Sequence, residues 1–323
     1  MPASNTYSTQ NLGSAVSNTE DLERGVYLIS PSQYPVVANS KKEKCTAVNP
    51  EYTLDTYADV DTTAVAEGAD SNSFGDAFSE QARVFNYVQT IKRDLQVTDD
   101  QELVDSASGV NFAGAVVKGL KELYRSQEAV TLGQQARAIS GATRTTAGLA
   151  EQLSGSSTIF PSEYQTPTAQ VVSASAATES NVDSVLQSVQ DTSGDPAKMR
   201  IYGGTSWISN FSGNTMRVSG AGDYRSAINF NGEEGNIKNR LRMYEGQHGV
   251  VEVMDLNSDT LYDTTNKDMA YFINHDYLVI KELGGLINKE LPDLGGGRRV
   301  TLRKKFAPCV LNPRAHAYWD ALS

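Results

Sequence analysis

The chain has 323 residues, 39% of them hydrophobic and 8% aromatic, and a formal net charge of -11. That length allows two or three subdomains with a substantial core, and the composition is globular rather than disordered. The charge argues against a surface built to grip nucleic acid, although a local basic face stays open, and no apolar run approaches a membrane span.

Taken in order, residues 1 to about 25 are rich in Ser, Thr and Asn and read as an arm that needs a surface to lie on. The start, MPASNTYSTQNLGSA, lacks the basic region and apolar core of a signal peptide, so a reducing compartment is expected. Cys45 and Cys309 are accordingly read as unpaired thiols, with a disulfide between them left open. Val26, Tyr27, Leu28 and Ile29 form the first apolar cluster before Pro31.

From Glu51 to Ala58 the residues alternate, with Tyr52 and Leu54 on one face and Thr53, Asp55 and Tyr57 on the other. A longer alternation starts at Arg83. It sets Phe85, Tyr87, Gln89, Ile91, Arg93 and Leu95 against Val84, Asn86, Val88 and Thr90. The two predict a hairpin. Its tip, Asp59 to Gln81, is too long and polar for a tight turn, and a loop of that kind usually carries a function or moves. No Lys or Arg falls between Lys44 and Arg83, whereas Asp55, Asp59, Asp61, Glu67, Asp70, Asp76 and Glu80 all do. The projecting loop is expected to be an arm for a neighbouring molecule.

Thr98 and Gln101 fit a capping box that opens a short helix running to about Ala107. From Asn111 to about Arg137 the spacing predicts one long amphipathic helix of about 40 Å, a strut across the molecule. Phe112, Val116, Leu120, Leu123, Gln127 and Val130 form its stripe, while Lys118, Glu122, Arg125 and Glu128 fall mostly on the wet side. Ser140 to Thr178 has the composition of connecting structure. A helix is expected over Asn181 to Gln190, with Val182, Val185, Leu186 and Val189 on one face. Strands are expected at Met199–Tyr202, Met216–Val218, Ala227–Phe230, Val250–Met254, Ala270–Ile273, Tyr277–Ile280, Val300–Leu302 and Phe306–Leu311, with Trp207, Ile208 and Phe211 as an aromatic cluster. Gly295, Gly296 and Gly297 mark a turn.

Near the end Arg298, Arg299, Arg303, Lys304 and Lys305 crowd together. The plain reading of this run and of the acidic one is a solvated surface. The sharper reading is a pair of complementary contact surfaces between copies, with Asp55, Asp59, Asp61, Glu67 and Asp70 facing those five bases.

Chemistry is sought and mostly not found. His248, His275 and His316 are not at metal-ligand spacing and are read as structural, so no metal and no cofactor is expected. Gly295-Gly296-Gly297-Arg298-Arg299 lacks the lysine and hydroxyl of a phosphate loop and is read as a hairpin turn. Ser140-Gly141-Ala142 is not a nucleophile elbow. A glycosidase-like carboxylate pair cannot be told from surface acids by sequence. The expectation is that the chain is not an enzyme.

The order of elements resembles the major capsid proteins of tailed bacteriophages, with the α+β HK-ninety-seven-like fold. Glu67-Gly68-Ala69-Asp70 at the hairpin tip, then Arg83, Asn86-Tyr87, Gln89 and Ile91, then Val97 and Gln101 to Asp105, are similar to the run one capsid branch uses here. The resemblance implies an N-terminal arm over 1–44, an extended E-loop over 45–97, and a P-domain with its spine helix over 98–155. An A-domain over 156–253 and a return to the P-domain over 254–323 complete it, with the A-domain aligning least well from Asn210 to Asn239. It also implies self-assembly into pentamers and hexamers of an icosahedral shell around double-stranded DNA, contacted weakly and without sequence preference. Scaffolding, portal and decoration proteins are implied partners, the scaffold being separate because the N-terminal arm is short. The implied location is the virion capsid, assembled in the host cytoplasm, with no membrane contact. The alternatives are another phage structural protein, such as a tail tube or decoration protein, and a cytosolic enzyme with an unrecognised site.

Overall fold

The computed structural model describes residues 34–57, 60–70, 74–75, 78, 81–103, 111–173, 175–193, 196–216, 242–256, 267–292 and 295–322. The arm before Tyr34, the Val26–Ile29 cluster, Asp59, Asp76, Glu80, the end of the first short helix and the strand expected at Ala227–Phe230 lie outside the described residues.

Three helices come first: α1 (Pro35–Asn39), α2 (Asp99–Leu103) and the long α3 (Phe112–Leu132). The Asn111 side chain caps α3 by accepting from the Gly114 amide at 2.7 Å. The helix ends at Leu132 rather than Arg137, because Gly133 turns extended (φ -61, ψ 160). With 21 residues it is about 31 Å long, shorter than expected. A second glycine explains the stop. Gly148 packs so closely on this point that a Cβ there would lie 1.9 Å from the Gly133 carbonyl oxygen.

The apolar stripe of α3 is buried as predicted at Leu123, and Phe112, Val116 and Leu120 pack with it against Val300, Leu302 and Leu95. Glu128 departs from its expected wet face and is fully buried. Its two carboxylate oxygens accept from the backbone N–H of Val36 at 2.8 Å and Val37 at 2.7 Å. These donors open α1 behind Pro35 and would otherwise be orphans. Stacking of Tyr34 on Tyr124, with ring centroids 5.3 Å apart, adds to this clasp.

The strands are β1 (Lys41–Cys45), β2 (Glu51–Leu54), β3 (Ala82–Phe85), β4 (Gln89–Val97), β5 (Ala138–Ser140), β6 (Thr143–Thr145) and β7 (Val171–Val172). They continue with β8 (Met199–Gly204), β9 (Met243–Gly246), β10 (Gly249–Leu256), β11 (Ala270–Asn274), β12 (Leu278–Leu291), β13 (Arg298–Val310) and β14 (Ala317–Trp319). The short α4 (Leu149–Leu153), then α5 (Glu179–Ser193) and α6 (Thr205–Met216), lie between them. One sheet, ordered β1-β12-β13-β4, lies against α3. A second, ordered β7-β14-β11-β8-β10-β9, draws strands from both sides of residue 253.

The second sheet packs on α5 through Val182, Val185, Leu186 and Val189, and on α6 through Trp207 and Phe211. Trp207 sits 5.1 Å from Phe211 and 5.7 Å from Trp319, centroid to centroid. Met216, expected to open a strand, instead ends α6.

The predicted hairpin is present as β2 paired antiparallel with β3, Glu51 opposite Phe85 and Leu54 opposite Ala82. The single long alternation after Arg83 is wrong. The strand breaks at Asn86–Val88, so Val84, Asn86 and Val88 are buried, after which the inward phase passes to Gln89, Ile91 and Leu95. Asn86 causes the break by leaving the ladder. Its side chain donates to the carbonyls of Ala147 (3.2 Å) and Pro308 (2.7 Å) and accepts from the Ala147 amide (3.0 Å). At the other hairpin, the two strands expected before and after Lys304 form one, and Gly295 and Gly297 take the positive φ of the turn.

Candidate assembly surfaces

Between Leu54 and Ala82 the chain leaves the body and forms no strand among the described residues. Its side chains bury little: Tyr57 is 99% exposed, Val60 89%, Val65 80% and Phe74 88%. Four large apolar groups standing in water beside acids mark a surface awaiting cover. Asp55 accepts from Gln81 Nε2 at 3.1 Å, and Asp61 accepts from the Thr63 amide at 2.8 Å. The hydrogen bonds from Thr63 hold the Asp61 carboxyl below its ordinary pKa. Among the described residues, Asp55, Asp61, Glu67 and Asp70 form no ion pair within the chain. The root is firm. Tyr52 donates its hydroxyl to the Val310 carbonyl at 2.8 Å, and Arg137 donates to the Phe85 carbonyl at 2.6 Å with its guanidinium over the Phe85 ring.

Strand alternation divides the five expected bases between the two faces of β13. Arg298 and Lys304 share a face with Val300, Leu302 and Phe306, turned toward α3. Lys304 is only 2% exposed, pairs with Glu282 at 2.9 Å and lies 4.4 Å from the Tyr124 ring centroid. Arg298 pairs with Glu290 at 3.0 Å and covers the Phe112 ring. Lys304 is therefore withdrawn from the contact set and Arg298 is largely occupied, because both charges are matched inside their own chain.

Arg299, Arg303 and Lys305 point the other way. In register Lys92 of β4 stands opposite Arg303, and Lys289 of β12 stands opposite Thr301, between Arg299 and Arg303; the sequence alone marks neither lysine. The nearby acid on this face is Asp94, which accepts from Thr301 at 2.8 Å and from Lys92 at 2.8 Å. Those partners, Lys92 first, lower its pKa. Farther along the same face, Ala307 and Cys309 are covered by Val88 and Tyr52 from the root of the loop. One half of the face is thus roofed by its own chain, and the other half is open and basic. The missed bases had a detectable signal: Lys92 lies on the predicted strand, but only register shows what it stands beside.

Of the remaining chemistry-bearing groups, His248 meets Gln190 Oε1 at 2.9 Å near the surface, and His275, His316 and Cys309 serve the interior. Tyr202 meets His275 Nε2 at 2.6 Å, and burial lowers that imidazole to about 4. His316 accepts from the Asn274 amide at 3.2 Å, and burial lowers it to about 3. Cys45 on β1 and Cys309 on β13 flank β12, which puts their Cα atoms at least about 9 Å apart, beyond the reach of a disulfide. Both thiols are free, and burial raises Cys309 to about 12. Among the described residues no group of three or more His, Cys, Asp or Glu is placed to hold a metal ion, and no helix is long and apolar enough to cross a membrane.

A stiff spine, a reaching acidic limb and an open basic sheet face define a tile of a closed shell, a structural subunit rather than an enzyme. The family model of the SU10 major capsid protein matches residues 3–323, and the chain belongs to that family. It is a phage shell-forming protein whose place is the virion capsid. No curated protein matches it.

Solved structures agree in fold at low identity. The chain is similar to that of Gordonia phage Cozz, with 13% identity, TM-score 0.63, and 100% and 97% of the two chains covered. It is also similar to the capsid of a native GTA particle, with 12% identity, TM-score 0.60, and 97% and 99% covered. An encapsulin from Synechococcus elongatus is similar too, with 11% identity, TM-score 0.55, and 98% and 96% covered. The fold alone is thus shared with a phage chain, a GTA capsid and an encapsulin, and the family match decides between them.

Proposed function

We propose that the chain assembles into pentamers and hexamers of an icosahedral shell around double-stranded DNA, the limb over 55–81 of each copy lying across the next. The supporting observation is that limb: Tyr57, Val60, Val65 and Phe74 are almost wholly exposed, and Asp55, Asp61, Glu67 and Asp70 form no ion pair among the described residues. On this reading residues 1–44 are the N-terminal arm, 45–97 the E-loop, 98–155 the P-domain with α3 as spine, and 156–253 the A-domain. Residues 254–323 return to the P-domain, lending β11 and β14 to the sheet of the A-domain.

Asp55, Asp59, Asp61, Glu67 and Asp70 of one copy then face Arg299, Arg303 and Lys305 of a neighbour, joined by Lys92 and Lys289. Arg298 contributes at the margin. Such complementarity sets register more than it adds affinity. Assembly takes place in the host cytoplasm with scaffolding, portal and decoration proteins as partners. DNA is held by confinement, with weak contacts from scattered bases. The test is charge reversal at Asp59 and Asp61, with particle yield measured at low and high salt. The reading expects a loss at low salt that high salt partly relieves. Unchanged yield in both conditions would show the pairing to be wrong.

A further inference from the structure

After α3 the chain makes a second excursion, in a stretch whose composition predicts only connecting structure. It leaves at Gly133 and returns at Gly148, whose amide donates to the Gln135 carbonyl at 3.0 Å. Between these points β5 and β6 form a hairpin, Ile139 opposite Arg144, with Gly141 at positive φ in the turn. Every residue from Ala138 to Arg144 is exposed, and Ile139 is 54% exposed. Among the described residues Arg144 has no ion pair.

An isolated two-stranded hairpin is at best marginally stable in water, so this one owes its shape to its root. The Gln89 side-chain oxygen accepts from the Thr146 amide (3.0 Å) and from Gln135 Nε2 (3.3 Å). Asn86 pairs with both the amide and the carbonyl of Ala147. The buried Asn86 and the half-buried Gln89 thus aim the hairpin outward, where it contributes nothing to its own core.

Beside the root of this hairpin, between Gln134 where it leaves and Ala150 and Glu151 just after it returns, lies a cleft of about 590 Å³ whose lining also includes Val171, Tyr318 and Asp320. Its walls offer apolar surface and two carboxylates, and none of the lining residues is Lys or Arg. Its own hairpin, exposed throughout, does not fill it. A convex tip carrying Ile139 and Arg144 matches this concave, acidic and partly apolar site in shape, charge and polarity.

We propose that the β5–β6 hairpin of one copy seats in the Glu151–Asp320 cleft of a second copy. Each copy gives its hairpin to the next and receives one from the copy before, a heterologous contact of the kind that closes a ring when its rotation closes. The proposal rests on the shell reading.

The experiment compares particle yield by sedimentation for the wild type, Arg144→Glu, Glu151→Lys and the double variant. Each single variant is expected to lose about tenfold or more, because like charges then meet at every repeat, and the double variant to recover most of it. Arg144→Glu assembling like the wild type, or a double variant no better than the singles, overturns the proposal. Glu151 also accepts from Thr158, so a second variant avoids it: oxidised particles of Arg144→Cys/Ser156→Cys should run as a covalent ladder on a denaturing gel. Monomer alone from such particles overturns the proposal equally. Wild-type protein that forms no particles would instead remove the shell reading itself.

Discussion

Glu128 offers a sharp quantitative test of how the N-terminal segment is fixed to the spine. Glu128→Ala would leave the Val36 and Val37 amides without acceptors in a site where all three residues are fully buried. Each stranded buried donor costs about 1–3 kcal/mol, so the variant should lose about 2–6 kcal/mol of a total near 5–15. Glu128→Gln keeps one acceptor and should lose about half as much. The assay is urea denaturation of the unassembled subunit, with stability taken by linear extrapolation. Loss of the α1 clasp should also release β1 from β12 early, giving a broadened transition. A Glu128→Ala variant within about 0.5 kcal/mol of the wild type would refute the argument that this carboxylate anchors α1.

Other expectations follow from the same geometry. His275 and His316 stay neutral when folded, with values of about 4 and about 3 against 6.5 when unfolded. Their shift costs nothing above pH 6.5. Below it the unfolded chain takes up protons first, and stability should fall by up to about 1.4 kcal/mol per pH unit per histidine until the folded values are reached. Denaturation at pH 7, 6 and 5 checks this before most carboxylates titrate, and a flat profile would contradict it. Gly148→Ala places a Cβ against the Gly133 carbonyl and should cost more than about 2 kcal/mol, whereas Gly75→Ala, with open space around it, should be near neutral by thermal melting. Lys304→Ala strands Glu282 and should cost about 3–5 kcal/mol, while Arg303→Ala should leave subunit stability within about 0.5 kcal/mol and lower particle yield. Equal effects of the two on stability would undo the division of β13 into an inner and an outer face.

Where periodicity reports burial, the letters were enough. The stripe of α3, the four-residue face of α5 and the Gly295–Gly297 turn all follow from spacing and from glycine's access to positive φ. What the letters hid depended on distant partners. Asn86 breaks a strand because its amide meets Ala147 and Pro308, residues 61 and 222 positions away. Lys304 and Glu128 look like surface charges until Glu282 and the start of α1 are brought against them. Among the contact residues, the run from Arg298 to Lys305 was visible as a charge cluster. Its division between faces was not, since that depends on which face of β13 meets the spine.

The most direct measurement of the central claim is analytical sedimentation of the purified chain, with electron micrographs of the same fractions. Large closed particles, or rings of five or six, are the predicted result, with the 55–81 limb becoming protected from protease only on assembly. A stable monomer whose limb is already protected in isolation would contradict the account.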